Sequence, residues 1–397
     1  MGTRLSRNRQ RSRNGYIPFY RPFTDTAEIA EARDAIRSGW LTSGPKVERL
    51  ERRIGALVGS PHAVAVNSCT AALHLSLVAS GVGPGDEVIT SPYTFAATGE
   101  AILYLGATPV FADIDPETLN ISPEAAARCA TRRTRAILPV HIAGLPSDMR
   151  AIGRLARQLR VPVIEDAAHA LGASAHGRSI GSISAATCFS FYATKNLTTG
   201  EGGMITTGSA AMARRLRLLS LHGLSHDAWR RYRRGGSWRY EVKSLGFKYN
   251  MTDVAAGIGL AQAAKFADMQ RRRRILARRY TSLLGDLDAF DLPREYPDSV
   301  HAWHLYIVRL RRGILKIDRD RVIELLGEAG IGTSVHFIPL HLHSYYRRTF
   351  GFKRGSYPHA EREARRGISL PLYPGLGLRN QVRIVDTLRE IVTRNRR

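Results

Sequence analysis

The chain has 397 residues, 44% of them apolar and 23% charged, with a formal net charge of +25 at pH 7. That length suits two domains with substantial cores, and no apolar run reaches the about 20 residues a membrane-spanning helix needs. The basic segment Met1 to Arg13 lacks the apolar stretch of a secretory signal, and Cys69, Cys129 and Cys188 are too scattered for a disulfide framework or a cysteine zinc site. The composition therefore points to a cytoplasmic protein with a basic tail.

Only seven of the basic residues are lysines. Three readings of the charge stay open: solvated helix faces in an arginine-rich composition, a field that attracts a small anionic substrate, or a nucleic-acid surface. No helix-turn-helix, zinc-finger or RNA-binding signature accompanies it, so nucleic acid has no second support. His341-Leu342-His343 offers two alternating imidazoles without a third ligand, which argues against a metal site.

From about Ala63 to Thr207 short apolar strands alternate with helix-patterned segments. Ala63–Val66 predicts a strand, Thr70–Ser80 a helix, Glu87–Ser91 a strand, Ala96–Leu105 a helix and Pro109–Asp113 a strand. Ala136–Ile142 and Val161–Glu165 continue the series around a helix near Met149–Arg160, and Thr187–Tyr192 and Gly203–Thr207 follow without a helix between them. Such alternation predicts an α/β domain with a mostly parallel central sheet, whose ligands collect at the carboxyl ends of the strands. Leu221–Tyr249, rich in Trp, Tyr, Arg and Gly without a period, predicts a long functional loop. Thr252-Asp253 starts a long helix that runs to Leu284, with Arg271–Arg274 on a solvated face. His304–Leu310 and Thr333–Phe337 predict strands, and Asp318–Ala329 and Gln381–Arg394 predict helices, of a smaller C-terminal α+β domain. The expected organisation is a tail at 1–15, a large α/β domain at 16–265 and the small domain at 266–397.

Four motifs carry chemistry. Phe189-Ser190-Phe191-Tyr192-Ala193-Thr194-Lys195-Asn196 runs into Gly200-Glu201-Gly202-Gly203, which places one amine at the end of a buried strand. Val163-Ile164-Glu165-Asp166-Ala167-Ala168-His169 ends a second strand in a carboxylate. Asn67-Ser68-Cys69-Thr70 is a strand-to-helix turn whose N–H groups and hydroxyls suit a phosphate, with Ser190 able to add another hydroxyl. Ser91-Pro92-Tyr93-Thr94-Phe95 ends a further strand in an aromatic ring. Each alone has an ordinary explanation: a snorkelling lysine, a helix cap, a Ser/Thr N-cap, core packing. Together, in the chain order phosphate turn, aromatic, aspartate, lysine, they are what pyridoxal phosphate needs, since a lysine forms its Schiff base and an aspartate keeps its pyridine nitrogen protonated.

The chain resembles the DegT/DnrJ/EryC1/StrS family of pyridoxal-phosphate-dependent sugar aminotransferases, of aspartate aminotransferase fold (fold type I). The resemblance runs from Gly39-Trp40-Leu41-Thr42-Ser43-Gly44 to Ser369-Leu370-Pro371-Leu372-Tyr373-Pro374 and includes Gly246-Phe247-Lys248-Tyr249-Asn250-Met251-Thr252-Asp253. It implies that Lys195 carries the cofactor and shuttles protons, and that Asp166 pairs with the pyridine nitrogen. It implies that Phe95 stacks on the ring with His169 beside it, and that Cys69, Thr70 and Ser190 hold the phosphate. Cys69-Thr70 stands where the family more often has Gly-Thr. Asn250 matches an asparagine that reaches the phosphate of a neighbouring subunit, which implies a homodimer with shared sites. Lys195, in place of the histidine of the family's dehydrating branch, favours transamination. The implied reaction moves the amine of L-glutamate, leaving 2-oxoglutarate, to a ketone on a nucleotide-linked sugar, most closely a UDP-4-keto sugar. Glu201, His336 and Tyr345 are the substrate candidates. A keto-inositol or C3-ketosugar substrate, or a non-catalytic regulator of the same fold, stays open at this stage.

Overall fold

The computed structural model describes residues 15–224 and 240–397. The basic tail up to residue 14 and most of the expected aromatic loop lie outside the described residues. Among the described residues no helix is long and apolar enough to cross a membrane.

Two amphipathic helices, α1 (Thr26–Arg37) and α2 (Pro45–Val58), precede the first strand. The strands β1 (His62–Val66), β2 (Glu87–Thr90), β3 (Thr108–Phe111), β4 (Thr134–Leu138) and β5 (Ile164–Asp166) follow, then the short hairpin β6 (Ser174–Ala175) and β7 (Arg178–Ser179), then β8 (Ala186–Ser190) and β9 (Gly203–Thr207). Between them run α3 (Cys69–Ala79), α4 (Ala96–Leu103), α5 (Pro123–Arg128) and α6 (Met149–Leu159), with α7 (Ala210–Ser220) after β9. The strands pair in the orders β1-β9-β8-β5 and β3-β2-β4. Parallel bridges Ile137 to Val163 and Val140 to Asp166 join β4 to β5 and merge the two into one sheet. Only β9 runs antiparallel to its neighbours, so the sheet is mostly parallel as its alternating helices require. Its strands are buried on both faces, hence the continuous apolar runs in the sequence.

The expected helix from Asp253 to Leu284 is two helices, α8 (Asp253–Ala264) and α9 (Phe266–Leu284). Thr252 caps the first through its side chain on the Ala255 N–H, as its sequence signal implied. The break falls at Lys265, where φ is −103° and ψ 7°. Lys265 Nζ there lies 2.9 Å from Asp25 and 2.6 Å from Glu28, and the buried Phe266 starts the new helix. The two helices serve different partners: α8 packs on α1 and α2, whereas α9 contributes Leu276, Tyr280 and Leu284 to a separate core.

That core holds β10 (Phe290–Asp291), β12 (Tyr306–Leu310) and β13 (Gly367–Leu370), with α10 (Arg319–Glu328) and α13 (Leu378–Asn395). Ile17 joins it through a bridge to Ile331. A two-residue strand β11 (Ser299–Val300) pairs instead with β6, and α11 (Ser344–Phe350) and α12 (Pro358–Ala364) complete the chain. Two expectations fail here. Thr333–Phe337 is not a strand, since it makes only the Ser334 to Ser369 bridge, and the His336 carbonyl accepts from the Tyr93 hydroxyl at 2.6 Å. Arg273 is not on a solvated face: it is 1% exposed, and its Nη1 donates to the carbonyls of Trp303, His304 and Leu372. The described ends of the aromatic loop pair with each other through Leu221 to Lys248 and Leu224 to Val242.

Where β1 and β9 run together, Gly203 lies under the turn that starts α3. A Cβ on Gly203 would stand 2.4 Å from the Ser68 carbonyl oxygen and 2.8 Å from the Cys69 nitrogen. Gly203→Ala is therefore expected to lower stability by about 1–3 kcal/mol, the usual cost of overpacking, and to weaken cofactor binding by moving that turn. Gly208→Ala, where nothing lies within 4 Å, is expected to change neither. Thermal unfolding and cofactor titration of the two variants check this.

Candidate active site

A cavity of about 740 Å³ opens at the carboxyl ends of β5 and β8. Cys69, Thr70, Phe95, Asp166, His169, Ser190, Lys195, Glu201 and His336 all line it. Thus residues spread from the first helix of the sheet to the segment after α10 converge on one cleft. Two of the sequence candidates do not. Tyr345, on α11, is half-exposed and packs edge-on against Tyr346 outside the cavity lining. Asn250 also lies outside that lining, where its side chain donates to Ser43 Oγ at 2.8 Å.

Asp166 is 5% exposed at the end of β5. Burial pushes its carboxyl above the usual range, and four groups oppose that. Thr98 Oγ1 donates to Oδ2 at 2.7 Å and the Ala168 N–H to Oδ1 at 3.2 Å, while the Lys195 charge and the His141 ring lie nearby. Thr98 is itself bonded to Thr94 Oγ1 at 2.7 Å, so the hydroxyl behind the carboxylate is held from both sides. The preceding residue, Glu165, points to the other face of β5, as strand alternation requires. There it accepts from Thr187 Oγ1 at 2.8 Å and meets His141 Nε2 at 2.8 Å, fully buried. His141 Nδ1 accepts from the Ser147 N–H at 3.0 Å, which leaves the proton on Nε2, facing Glu165.

Lys195 follows β8 on the turn before the glycine-rich segment. Its backbone donates to the Tyr192 carbonyl and accepts from the Tyr20 hydroxyl at 3.2 Å. Burial pulls its amine down to about 8, against the opposing influence of Cys69 and Asp166. Burial likewise holds the surrounding imidazoles neutral: His169 and His304 lie well below the usual range and His336 at about 4. The Cys69 thiol is pushed well up, so it stays protonated.

The residues present fit pyridoxal phosphate. Ser68 caps α3 through the Ala71 N–H at 3.1 Å, which leaves the N–H groups of Cys69 and Thr70 at the positive end of the helix, with the Thr70 and Ser190 hydroxyls beside them. Phe95, 62% exposed at the start of α4, stands 6.2 Å from Phe337 and can offer an uncovered aromatic face. His169 stacks on Phe337 at 5.8 Å and lies 4.3 Å from His304, and its buried Nδ1 has no partner among the described residues. That open polar atom is available to a bound group.

Sequence reasoning missed Thr98, Tyr20, His304 and Phe337. Thr98 lies three residues past the Phe95 motif, in the first turn of the helix that follows it. Tyr20 had no local signal, because its bond to Lys195 spans 175 residues. His304, which bonds Asn196 Oδ1 at 3.0 Å, likewise meets its partner only through the fold.

A lysine past one parallel strand, an aspartate ending its neighbour and a helix N-terminus for a phosphate define a fold type I pyridoxal-phosphate-dependent transferase. The sequence profile of the DegT/DnrJ/EryC1/StrS aminotransferase family matches residues 22–389, and the chain belongs to that family. A spore coat polysaccharide biosynthesis protein of Bacillus subtilis, SpsC, is 48% identical over 381 residues, covering 96% of this chain and 98% of its own. The structure of Spr1654 from Streptococcus pneumoniae in its pyridoxamine phosphate form superposes with a TM-score of 0.90 at 34% identity, covering 95% of this chain and 99% of that one; it is also solved with pyridoxal phosphate. DesI, solved in the presence of its TDP-sugar product, gives a TM-score of 0.86 at 34% identity, covering 96% and 93%. The protein is a pyridoxal-phosphate-dependent transaminase of the sugar aminotransferase family.

The depressed Lys195 amine has a measurable consequence. Only the uncharged amine attacks an aldehyde, so capture of added pyridoxal phosphate by cofactor-free protein is expected to quicken as pH rises and to level off above about 8. A rate that kept climbing towards pH 10.5, the ordinary lysine value, would mean that the amine is solvated rather than buried. Stopped-flow absorbance reads this directly.

Proposed function

We propose that the protein moves the amino group of L-glutamate, leaving 2-oxoglutarate, to a ketone of a nucleotide-linked sugar, at C4 and on a UDP carrier. Its product would serve polysaccharide, lipopolysaccharide or glycosylated-metabolite biosynthesis in the cytoplasm. The observation that carries this reading is the convergence of Lys195, Asp166 and the α3 N-terminus on one cavity larger than the cofactor alone requires. The polysaccharide role of SpsC and the TDP-sugar seen with DesI support the substrate class.

The cofactor supplies an aldehyde that accepts an amine and a protonated ring that withdraws electrons from the carbon losing its proton. Asp166, whose charge Thr98 and the Ala168 N–H keep in place, would hold the proton on the ring nitrogen. Lys195 Nζ would hold the cofactor at its aldehyde carbon and, as a free amine, would carry the proton on and off the reacting carbon. Thr70, Ser190 and the N–H groups at Cys69 and Thr70 would anchor the phosphate, and Phe95 and His169 would flank the ring. Glu201 and His336 face the substrate; His336 is held by Ser369 Oγ at 2.8 Å. In a symmetric dimer Asn250 would reach the partner's phosphate, so that each site is completed by both subunits. The excess of basic side chains draws an anionic diphosphate towards the cleft.

Incubation with glutamate and a panel of UDP-, dTDP- and GDP-ketosugars, read by mass spectrometry, tests the substrate class. An amino sugar from a nucleotide-linked 4-ketosugar, abolished by Lys195→Ala while cofactor still binds, is the expected result. Amination of a free keto-inositol alone would contradict it.

A further inference from the structure

A second cavity, of about 850 Å³, lies between α6 and the β6–β7 hairpin and shares no lining residue with the cleft. Arg150, Arg154, Arg157, Arg160, Arg178 and His176 line it, and no Asp or Glu does. Arg150, Arg154 and Arg157 recur at i, i+4 and i+7, which puts them on one face of α6. With Arg160 they span roughly 15 Å along the axis at 1.5 Å per residue.

Some surface arginines elsewhere are paired with acids. Arg271 and Arg272 pair with Asp268, Arg321 with Glu324 and Glu328, Arg389 with Asp286, and Arg396 with Asp288. The α6 sequence contains no acidic residue. Among the described residues Arg150, Arg154, Arg157 and Arg160 have no ion-pair or side-chain hydrogen-bond partner. Asp298, the acid nearest the groove's histidine, lies 3.6 Å from His176 Nδ1. Arg49, Arg53, Arg274 and Arg279 also stand without an ion-pair or hydrogen-bond partner among the described residues, but on helices that themselves carry acids. Like charges stacked four apart instead oppose helix formation, so the row costs stability unless an anion neutralises it. The groove floor is apolar, with Val163, Ala175 and Ile183, and it contains no Phe, Tyr or Trp.

We propose that this groove is a second binding site, for a compact polyphosphate anion: the di- or triphosphate chain of a nucleotide, or inorganic polyphosphate. Guanidinium forks bind phosphate oxygens two at a time, and a row of them matches successive phosphates. Single-stranded nucleic acid fits less well, because the row is short and there is no aromatic platform for bases.

Calorimetric titration of the cofactor-loaded protein with inorganic triphosphate tests the site. Arg154→Gln with Arg157→Gln removes two groove charges; Arg271→Gln with Arg272→Gln removes the same charge from α9. Any binding in the catalytic cleft is common to all three proteins. The first variant should bind triphosphate at least tenfold more weakly than wild type and the second within twofold, with cofactor content and transamination rate unchanged in both. ATP binding equal to triphosphate would identify the phosphate chain as the whole ligand, and tighter ATP binding would add a nucleoside contribution; either supports the site. Equal losses in the two variants, or no saturable binding by wild type, would overturn it. So would displacement of triphosphate by an RNA 12-mer at lower total phosphate.

Discussion

A carboxylate removed from water at the end of a central strand is the constraint on which the rest of this structure depends. Asp166 is 5% exposed, and a buried charge is costly unless hydrogen bonds and opposite charge compensate it. The compensation comes from separate pieces of chain: Thr98 from the first turn of α4, the Ala168 N–H from its own turn, and the positive neighbour Lys195. Each must be delivered by the sheet order, which brings β5 between β4 and β8. The adjacent Glu165 repeats the problem on the opposite face and is answered by a different set, His141 and Thr187. Two consecutive acids on one short strand are thus tolerated because strand alternation gives each its own surroundings.

The same burial sorts the other titratable groups. The histidines at 169, 304 and 336 are kept neutral, and so is the Cys69 thiol. Charge in the enclosed part of the cleft is therefore concentrated on Asp166, Lys195 and the helix end at Cys69–Thr70. The neutral imidazoles serve as stacking surfaces and hydrogen-bonding walls. Sulfur at residue 69 changes little in this scheme, because the backbone N–H at the helix start is available whichever side chain it carries.

What the sequence made legible was whatever is encoded locally. Buried parallel strands leave apolar runs, Thr252 and Asp318 announce helix starts by capping the next turn, and the lysine and aspartate follow strand ends recognisable from their own neighbours. What it hid depends on contacts between distant segments. Lys265 interrupts a pattern that looks continuous because acids on the α1 segment, more than 200 residues away, hold its amine. Arg273 sits in a run of four arginines yet is buried, since three carbonyls from two remote segments take its guanidinium. Thr333–Phe337 has a strand's composition, but its backbone is used for the Tyr93 contact and a single bridge. Tyr345 shares a segment with His336 yet falls outside the cavity because α11 turns it away.

The central claim is that the Asp166 charge, preserved in a buried site, keeps the cofactor's ring nitrogen protonated. Its most direct test is the ¹⁵N chemical shift of pyridoxal phosphate labelled at the ring nitrogen and bound to the protein. The account predicts a protonated nitrogen in the wild-type protein throughout the neutral pH range and a deprotonated one in Asp166→Asn. A deprotonated nitrogen in wild type, or a protonated one in both proteins, would contradict it.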